Sequence, residues 1–124
     1  MIPTVFQVAF GGAAGSVARY GVNVLAARVL PSYPLGTFFV NITGSFLIGI
    51  MAALFAMRGG QHLAPLAITG FLGGYTTFSA FSLDTITLLE RGAGVSAFFY
   101  VALSVLLSLA MVWAGLAFGR EVFA

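Results

Sequence analysis

Long apolar runs dominate the chain, and three short polar breaks separate them. The breaks read PSYP at 31–34, RGGQH at 58–62 and ERGAG at 90–94. A helix needs roughly 20 mostly apolar residues to cross a bilayer, and proline, glycine and charged residues are expected at its ends. The pattern predicts an all-α integral membrane protein whose single transmembrane domain has four transmembrane helices, at about 5–29, 35–57, 63–89 and 95–118.

The third predicted helix contains a stretch that is poorly suited to a continuous membrane helix. Residues 70–84 read GFLGGYTTFSAFSLD, with paired glycines and paired threonines. Glycine loosens a helix, and hydroxyl groups offer the backbone alternative partners. Backbone inside a bilayer must be paired, buried in protein or exposed to a wet cavity. We interpret the stretch as a helix broken near residues 73–77 at a functional site, with a tightly packed helix crossing as the alternative.

Polar side chains recur at four-residue steps on two of the predicted helices. One stripe lies on helix 2 and one on helix 4, and they consist of Thr37, Asn41 and Ser45, and of Tyr100, Ser104 and Ser108. Side chains at this spacing share one helix face. A single buried asparagine is equally consistent with a bond between helices. Two stripes together indicate a polar track along the interior.

Aromatic and hydroxyl side chains follow the predicted break. Phe78 and Phe81 are one turn apart, and Ser79, Ser82 and Thr85 lie on a neighbouring face. Such a phenylalanine pair is often ordinary packing, but ring edges carry partial positive charge, as do hydroxyl and amide hydrogens. No carboxylate lies at mid-span. This lining favours a small, strongly hydrogen-bonding anion over a cation.

Two charged residues within the predicted helices leave alternatives open. Arg19 lies about fifteen residues into helix 1, where it either gives a pore mouth positive potential or anchors the helix at the interface. Asp84 lies near the far end of helix 3, either in a water-filled vestibule or at the membrane surface.

Composition supports the membrane assignment and excludes several functions. The chain is 60% hydrophobic and 6% charged, whereas soluble domains carry about 25% charged residues. It has no cysteine, no basic cluster that would indicate nucleic acid, and one histidine, in a predicted loop. No metal-ligand spacing or catalytic motif is present, so we do not expect an enzyme.

The arginines do not select an orientation. With four spans, Arg58 and Arg120 lie on one side of the membrane, and Arg28 and Arg91 lie on the other. The positive-inside rule therefore has no preferred direction. Either the signal is simply weak, or the chain inserts both ways round and pairs with its inverted copy.

Three runs carry a resemblance to a known family. They read GGAAGSVARY at 11–20, GTFFVNITGSFLIG at 36–49 and GFLGGYTTFSAFSLDT at 70–85. In length, spans and motif order, the chain resembles the Fluc fluoride-channel family, also called CrcB. The resemblance implies a fluoride-selective anion channel of the bacterial inner (plasma) membrane, through which cytoplasmic fluoride leaves passively.

The resemblance also implies an assembly and a set of site residues. The assembly is an antiparallel, dual-topology homodimer in the lipid bilayer, with two pores lined by both subunits. A structural sodium ion at the dimer interface would be held by the backbone carbonyls of Gly73 and Thr76. The implied fluoride-pore residues are Arg19, Asn41, Phe78, Ser79, Phe81, Ser82, Tyr100, Ser104 and Ser108.

Two positions depart from the family pattern. In the family's T-F-S-x-F-S signature, which falls on residues 77–82, Ala80 stands where threonine is usual, and Asp84 stands where glutamate is common. The alternative function is a small proton-coupled multidrug-type exporter. Such exporters need a carboxylate in helix 1, where this chain has only Arg19 and Arg28 as charged residues.

Overall fold

The computed structural model describes residues 2–124, and all regular structure among them is helical. The order is α1 (Thr4–Val29), α2 (Leu35–Arg58), a 3₁₀ turn (Gln61–Leu63), a π-helix (Pro65–Leu72), α3 (Gly73–Tyr75), α4 (Phe78–Glu90) and α5 (Gly94–Phe123). The third predicted helix corresponds to the π-helix, α3 and α4 together, and the fourth to α5. The third predicted helix is interrupted at 76–77, inside the range 73–77 that the sequence predicts for the break.

Two details differ from the sequence prediction. The last helix ends at Phe123 rather than near 118. A helix can continue beyond the lipid into polar residues, and here Arg58 Nε donates to the Phe123 carbonyl at 2.8 Å, which ties its end to α2. The third predicted helix begins as a π-helix, which the apolar pattern does not distinguish from an α-helix. Pro65 occupies its first turn, where a missing N–H costs little.

Three helical stretches are long and apolar enough to cross a membrane. They are Leu35–Arg58, Gln61–Glu90 and Gly94–Phe123. α1 has 26 residues, which is sufficient length, but Gln7, Arg19 and Asn23 lower its apolar character. A fourth span therefore stays a prediction. Many large apolar side chains are exposed, including Trp113 and Val5, which is typical of a surface that faces lipid.

Glycines let the helices pack closely. On the α2–α5 face, a Cβ on Gly49 would lie 2.8 Å from the Leu116 amide nitrogen, and one on Gly119 would lie 2.7 Å from the Ala53 Cβ. α1 meets the π-helix in the same way, since a Cβ on Gly11 would lie 2.8 Å from the Phe71 amide nitrogen. Small residues at helix crossings are the usual means of close approach in membranes. These contacts hold α1, α2 and α5 around the interrupted helix.

Candidate functional site

The helix interruption consists of two extended residues between α3 and α4. Thr76 has φ −88° and ψ 158°, and Thr77 has φ −155° and ψ 119°. Thr77 is also the N-cap of α4, because its Oγ1 accepts a hydrogen bond from the Ala80 amide at 3.1 Å. A threonine in this position satisfies an amide that the helix itself leaves unpaired. The break is therefore encoded locally by a capping residue.

Asn41 of α2 holds the break by pairing with the backbone of one residue. Its Nδ2 donates to the Thr77 carbonyl at 3.1 Å, and its Oδ1 accepts from the Thr77 amide at 2.8 Å. The half-buried side chain therefore replaces the helical acceptor of the Thr77 amide and gives the Thr77 carbonyl a donor from another helix. An amide nitrogen carries two hydrogens, so one hydrogen of Asn41 is left for another acceptor.

The break also changes the bonding of three carbonyl groups. In a continuous helix, the carbonyls of Gly73, Gly74 and Thr76 would accept from residues 77, 78 and 80. The Thr77 amide donates instead to Asn41, and the Ala80 amide donates to Thr77 Oγ1. The Gly74 carbonyl accepts from Arg19 Nε at 3.0 Å. The Gly73 and Thr76 carbonyls thus lose the amide partners of a regular helix.

A cavity of about 380 Å³ lies beside the break. It brings together many of the residues that the sequence singled out, namely Asn41, Gly73, Thr76, Phe78, Phe81, Ser104 and Ser108. Ser45 and Thr77 add further hydroxyls, while Ile48, Ile68 and Leu109 contribute to an aliphatic wall. None of the lining residues in the described part of the chain carries a formal charge. The cavity is therefore mostly apolar with a few uncharged hydrogen-bond donors.

The two phenylalanines of the signature form part of an aromatic row. The Phe78 and Phe81 ring centroids are 5.5 Å apart with the planes tilted by 45°, and Phe81 lies 5.3 Å from the Tyr100 ring. Phe81 is 8% exposed, whereas Phe78 is 77% exposed. Tilted rings present edges, with their positive rim, toward neighbours. Phe81 is thus fixed in the core while Phe78 projects from the single chain.

Ser104 has an unusual environment for a hydroxyl. The residue lines the cavity and is 5% exposed, and its Oγ has no hydrogen-bond partner among the described residues. A buried hydroxyl without a partner is costly. Its neighbour in the cavity, Ser45, is different, because its Oγ donates to the Asn41 carbonyl at 2.6 Å. The Ser104 hydroxyl therefore has no acceptor for its hydrogen in the part of the chain that the structure describes.

Four predicted site residues do not line this cavity. Ser79 is exposed, with its Oγ 3.2 Å from Thr77 Oγ1, and Ser82 Oγ donates to the Phe78 carbonyl at 2.9 Å. Tyr100 is buried, and its hydroxyl donates to Asp84 Oδ2 at 3.0 Å. Arg19 is half-buried on α1 and bonded to Gly74.

Sequence reasoning missed the pairing of Tyr100 with Asp84 and the role of Thr77. The first joins two helices, and no spacing rule would have found it. The second had a signal, since a threonine directly before a helix is a common N-cap. Ala80, which stands where the family usually has threonine, does not line the cavity. Its amide is the group that Thr77 caps.

The described residues 2–124 contain no group of three or more histidine, cysteine, aspartate or glutamate side chains that could hold a metal ion. The oxygens at the break include the backbone carbonyls and the hydroxyls of Thr76 and Thr77. Such oxygens are acceptable ligands for hard cations.

Comparison with known proteins finds relatives that match nearly the whole chain. Residues 6–116 match the family model described as CrcB-like protein, Camphor Resistance (CrcB). A protein from Paracoccus denitrificans named fluoride-specific ion channel FluC is 63% identical over 121 residues, covering 98% of each chain. Proteins of the same name from Cereibacter sphaeroides and a Caulobacter species are 52% and 51% identical, over 94% of each chain.

Proposed function

This chain belongs to the CrcB-like family, and we propose that it is a fluoride-selective channel through which fluoride leaves the cell passively. It is a multi-pass bacterial membrane protein, consistent with its three helical stretches long and apolar enough to span a bilayer. A channel binds and releases its ion without chemical conversion, so the protein is not an enzyme.

The observation that carries the proposal is the uncharged cavity at the break. Ser104 offers a buried hydroxyl with no partner within residues 2–124, and Asn41 retains one amide hydrogen after bonding to Thr77. Phe78 and Phe81 line the same cavity, and the edges of aromatic rings carry partial positive charge. Together these groups can replace part of the water shell of a small anion. A cation would find no carboxylate among the lining residues, and this supports anion selectivity.

We assign the pore to the residues of this cavity and its neighbours. Asn41, Phe78, Phe81, Ser104 and Ser108 line the cavity itself. Tyr100 extends the row through its ring contact with Phe81. Ser79 and Ser82 are exposed on α4, where they would face a second copy of the chain rather than the cavity of their own copy.

The same exposure supports an antiparallel homodimer with two pores. The single chain encloses the cavity only in part, and Phe78, which lines it, has 77% of its surface exposed. A partner would cover the exposed ring and complete the enclosure. Arg28 and Arg91 lie at one end of the predicted spans and Arg58 and Arg120 at the other, so the positive-inside rule opposes neither orientation. Each pore would then be completed by residues of both copies.

A structural sodium ion at the dimer interface fits the bonding at the break. The Gly73 and Thr76 carbonyls lack the amide partners of a regular helix, since those amides are bonded elsewhere. Carbonyl oxygens at interrupted membrane helices commonly bind cations. Two carbonyls from each copy would supply four ligands without any carboxylate.

Passive export requires no coupling ion. Fluoride enters as neutral HF in acid surroundings and is trapped inside as the anion. A membrane potential that is negative inside favours its exit by about 2.3 kcal/mol per charge for each 100 mV. The exporter alternative has no support, because α1 contains arginines but no carboxylate to carry a proton.

Fluoride efflux from proteoliposomes tests the proposal. Vesicles loaded with potassium fluoride are diluted into impermeant salt, and valinomycin is added to release the potassium charge. We expect rapid fluoride release only after the ionophore is present, and slow release from protein-free vesicles. Retention of fluoride by vesicles that contain folded protein would contradict the proposal.

A further inference from the structure

Helix α1 is in direct contact with the last turn before the break. A Cβ on Gly74 would lie 2.6 Å from the Gly12 carbonyl oxygen, and one on Gly15 would lie 2.9 Å from the Tyr75 amide nitrogen. Such distances are too short for real Cβ atoms. Both positions therefore require glycine. The backbone of α1 and the backbone of α3 touch without side chains between them.

This contact places Arg19 beside the break. Arg19 follows Gly15 by four residues, so the two share one face of α1. From there its Nε donates to the Gly74 carbonyl at 3.0 Å, across 55 residues of sequence. The side chain is half-buried and does not line the cavity. Its hydrogen bond is directed to the backbone of the break, not to the cavity where the anion would bind.

The hydrogen bond replaces one that the break removes. In a continuous helix, the Gly74 carbonyl would accept from the Phe78 amide. Here Phe78 begins α4 beyond two extended residues. A carbonyl without a partner at membrane depth is costly, and a charged donor is stronger than a neutral one. The guanidinium thus stabilises the interrupted conformation relative to the continuous helix.

We propose that Arg19 is a positioning residue that fixes the helix break by bonding the Gly74 carbonyl, together with Asn41, which bonds Thr77. The expected effect on fluoride efflux rests on the proposed channel function, whereas the hydrogen bond from Arg19 to Gly74 does not depend on it. The two anchors come from different helices, α1 and α2, and lie on either side of Thr76. Since Phe78 directly follows Thr77, the anchors determine where the aromatic row begins. Arg19 acts through the break and has no direct role with the anion.

The test compares Arg19→Gln with Arg28→Gln in the full-length chain. Both substitutions remove one positive charge from α1. Arg28 is the control because it is exposed in the last turn of α1, far along the helix from Gly15, where α1 contacts α3. Amide hydrogen exchange is followed by mass spectrometry in a peptide spanning 73–82 and in a reference peptide from α5. Fluoride efflux is measured on the same preparations.

We expect Arg19→Gln to accelerate exchange in the 73–82 peptide by about tenfold or more, which corresponds to ~1.4 kcal/mol. Exchange in the α5 peptide should not change, and efflux should fall at least about tenfold. Arg28→Gln should match the parent protein in both measurements. Arg19→Lys keeps the charge and a donor, so its rate of exchange should lie between those of the parent protein and Arg19→Gln. If Arg19→Gln does not fold, faster exchange in the 73–82 peptide of Arg19→Lys than in that of the parent is the expected result, and equal exchange would overturn the proposal.

Unchanged exchange at the break would overturn the proposal, and a fall in efflux alone would indicate that Arg19 acts by its charge on the anion path. Equal acceleration in both peptides would also overturn it, because the effect would then be general loss of stability. Absence of fluoride efflux from the parent protein would refute the channel function. The exchange comparison would still decide whether Arg19 positions the break.

Discussion

Replacing Ser104 by alanine should make the protein more stable and less active. Ser104 is 5% exposed, and its Oγ has no partner among the described residues. Burial of a hydroxyl without a hydrogen bond costs about 1–3 kcal/mol in proteins. Alanine fills nearly the same space without that cost. Most substitutions of buried residues destabilise, so a gain at this position would be diagnostic.

The expected loss of transport follows from the same hydroxyl. A hydrogen bond to a charged group contributes about 1.5–3 kcal/mol. If Ser104 donates to fluoride in the pore, its removal should slow efflux by roughly ten- to a hundredfold, since each 1.4 kcal/mol is about tenfold. The gain in stability and the loss of flux would then have one cause, a hydroxyl that bonds only the transported ion.

Two measurements on one preparation test this reasoning. Thermal unfolding in detergent can be followed by fluorescence of Trp113, the one tryptophan of the chain, and efflux is measured in liposomes. Ser45→Ala is the matched control for stability, because Ser45 Oγ already donates to the Asn41 carbonyl, and its loss should give no gain. A lower unfolding temperature for Ser104→Ala, or unchanged efflux, would refute the assigned role.

Four other substitutions, with Gly12→Ala as a control, test the rest of the account. Phe78→Ile and Phe81→Ile should each cut fluoride efflux at least tenfold by removing a ring edge. Size-exclusion chromatography should show the same oligomer as the parent protein. Normal efflux in both variants would contradict the aromatic role. Asn41→Asp should nearly abolish efflux, because two like charges about 4 Å apart repel by ~4 kcal/mol at an effective dielectric of 20; unchanged efflux would remove Asn41 from the pore. Gly15→Ala should destabilise the protein by about 2 kcal/mol or more, because the new Cβ would overlap the π-helix. Gly12→Ala should be tolerated, because a Cβ at Gly12 would have its nearest neighbour at 3.9 Å. Equal thermal stability of the two variants would disprove the packing argument.

Apolar helices separated by polar breaks could be predicted from the sequence because both depend on local composition. Polar punctuation at 31–34, 58–62 and 90–94 coincides with the ends of the long helices. The paired threonines identified the break, since hydroxyls compete with helical bonding and one of them caps α4. The end of α5 was missed because a helix does not stop where its apolar residues stop.

The tertiary hydrogen bonds could not be predicted in the same way. Asn41 could be recognised as a costly polar residue in a membrane helix, but its two bonds to Thr77 join positions 36 residues apart. The bond from Tyr100 to Asp84 depends on how α5 packs against α4. Residue type indicates that a partner must exist, and only the fold determines which one it is. The lone hydroxyl of Ser104 is likewise a property of packing.

Reversal potentials in planar bilayers would test whether this uncharged cavity selects fluoride. With a tenfold fluoride gradient and symmetrical chloride, we expect current to reverse close to the fluoride equilibrium potential, about 59 mV from zero for a single charge. Substituting impermeant anions for chloride on one side should not shift that value. A reversal potential near zero, or one that follows the chloride gradient, would show that the cavity at the helix break does not discriminate in favour of fluoride.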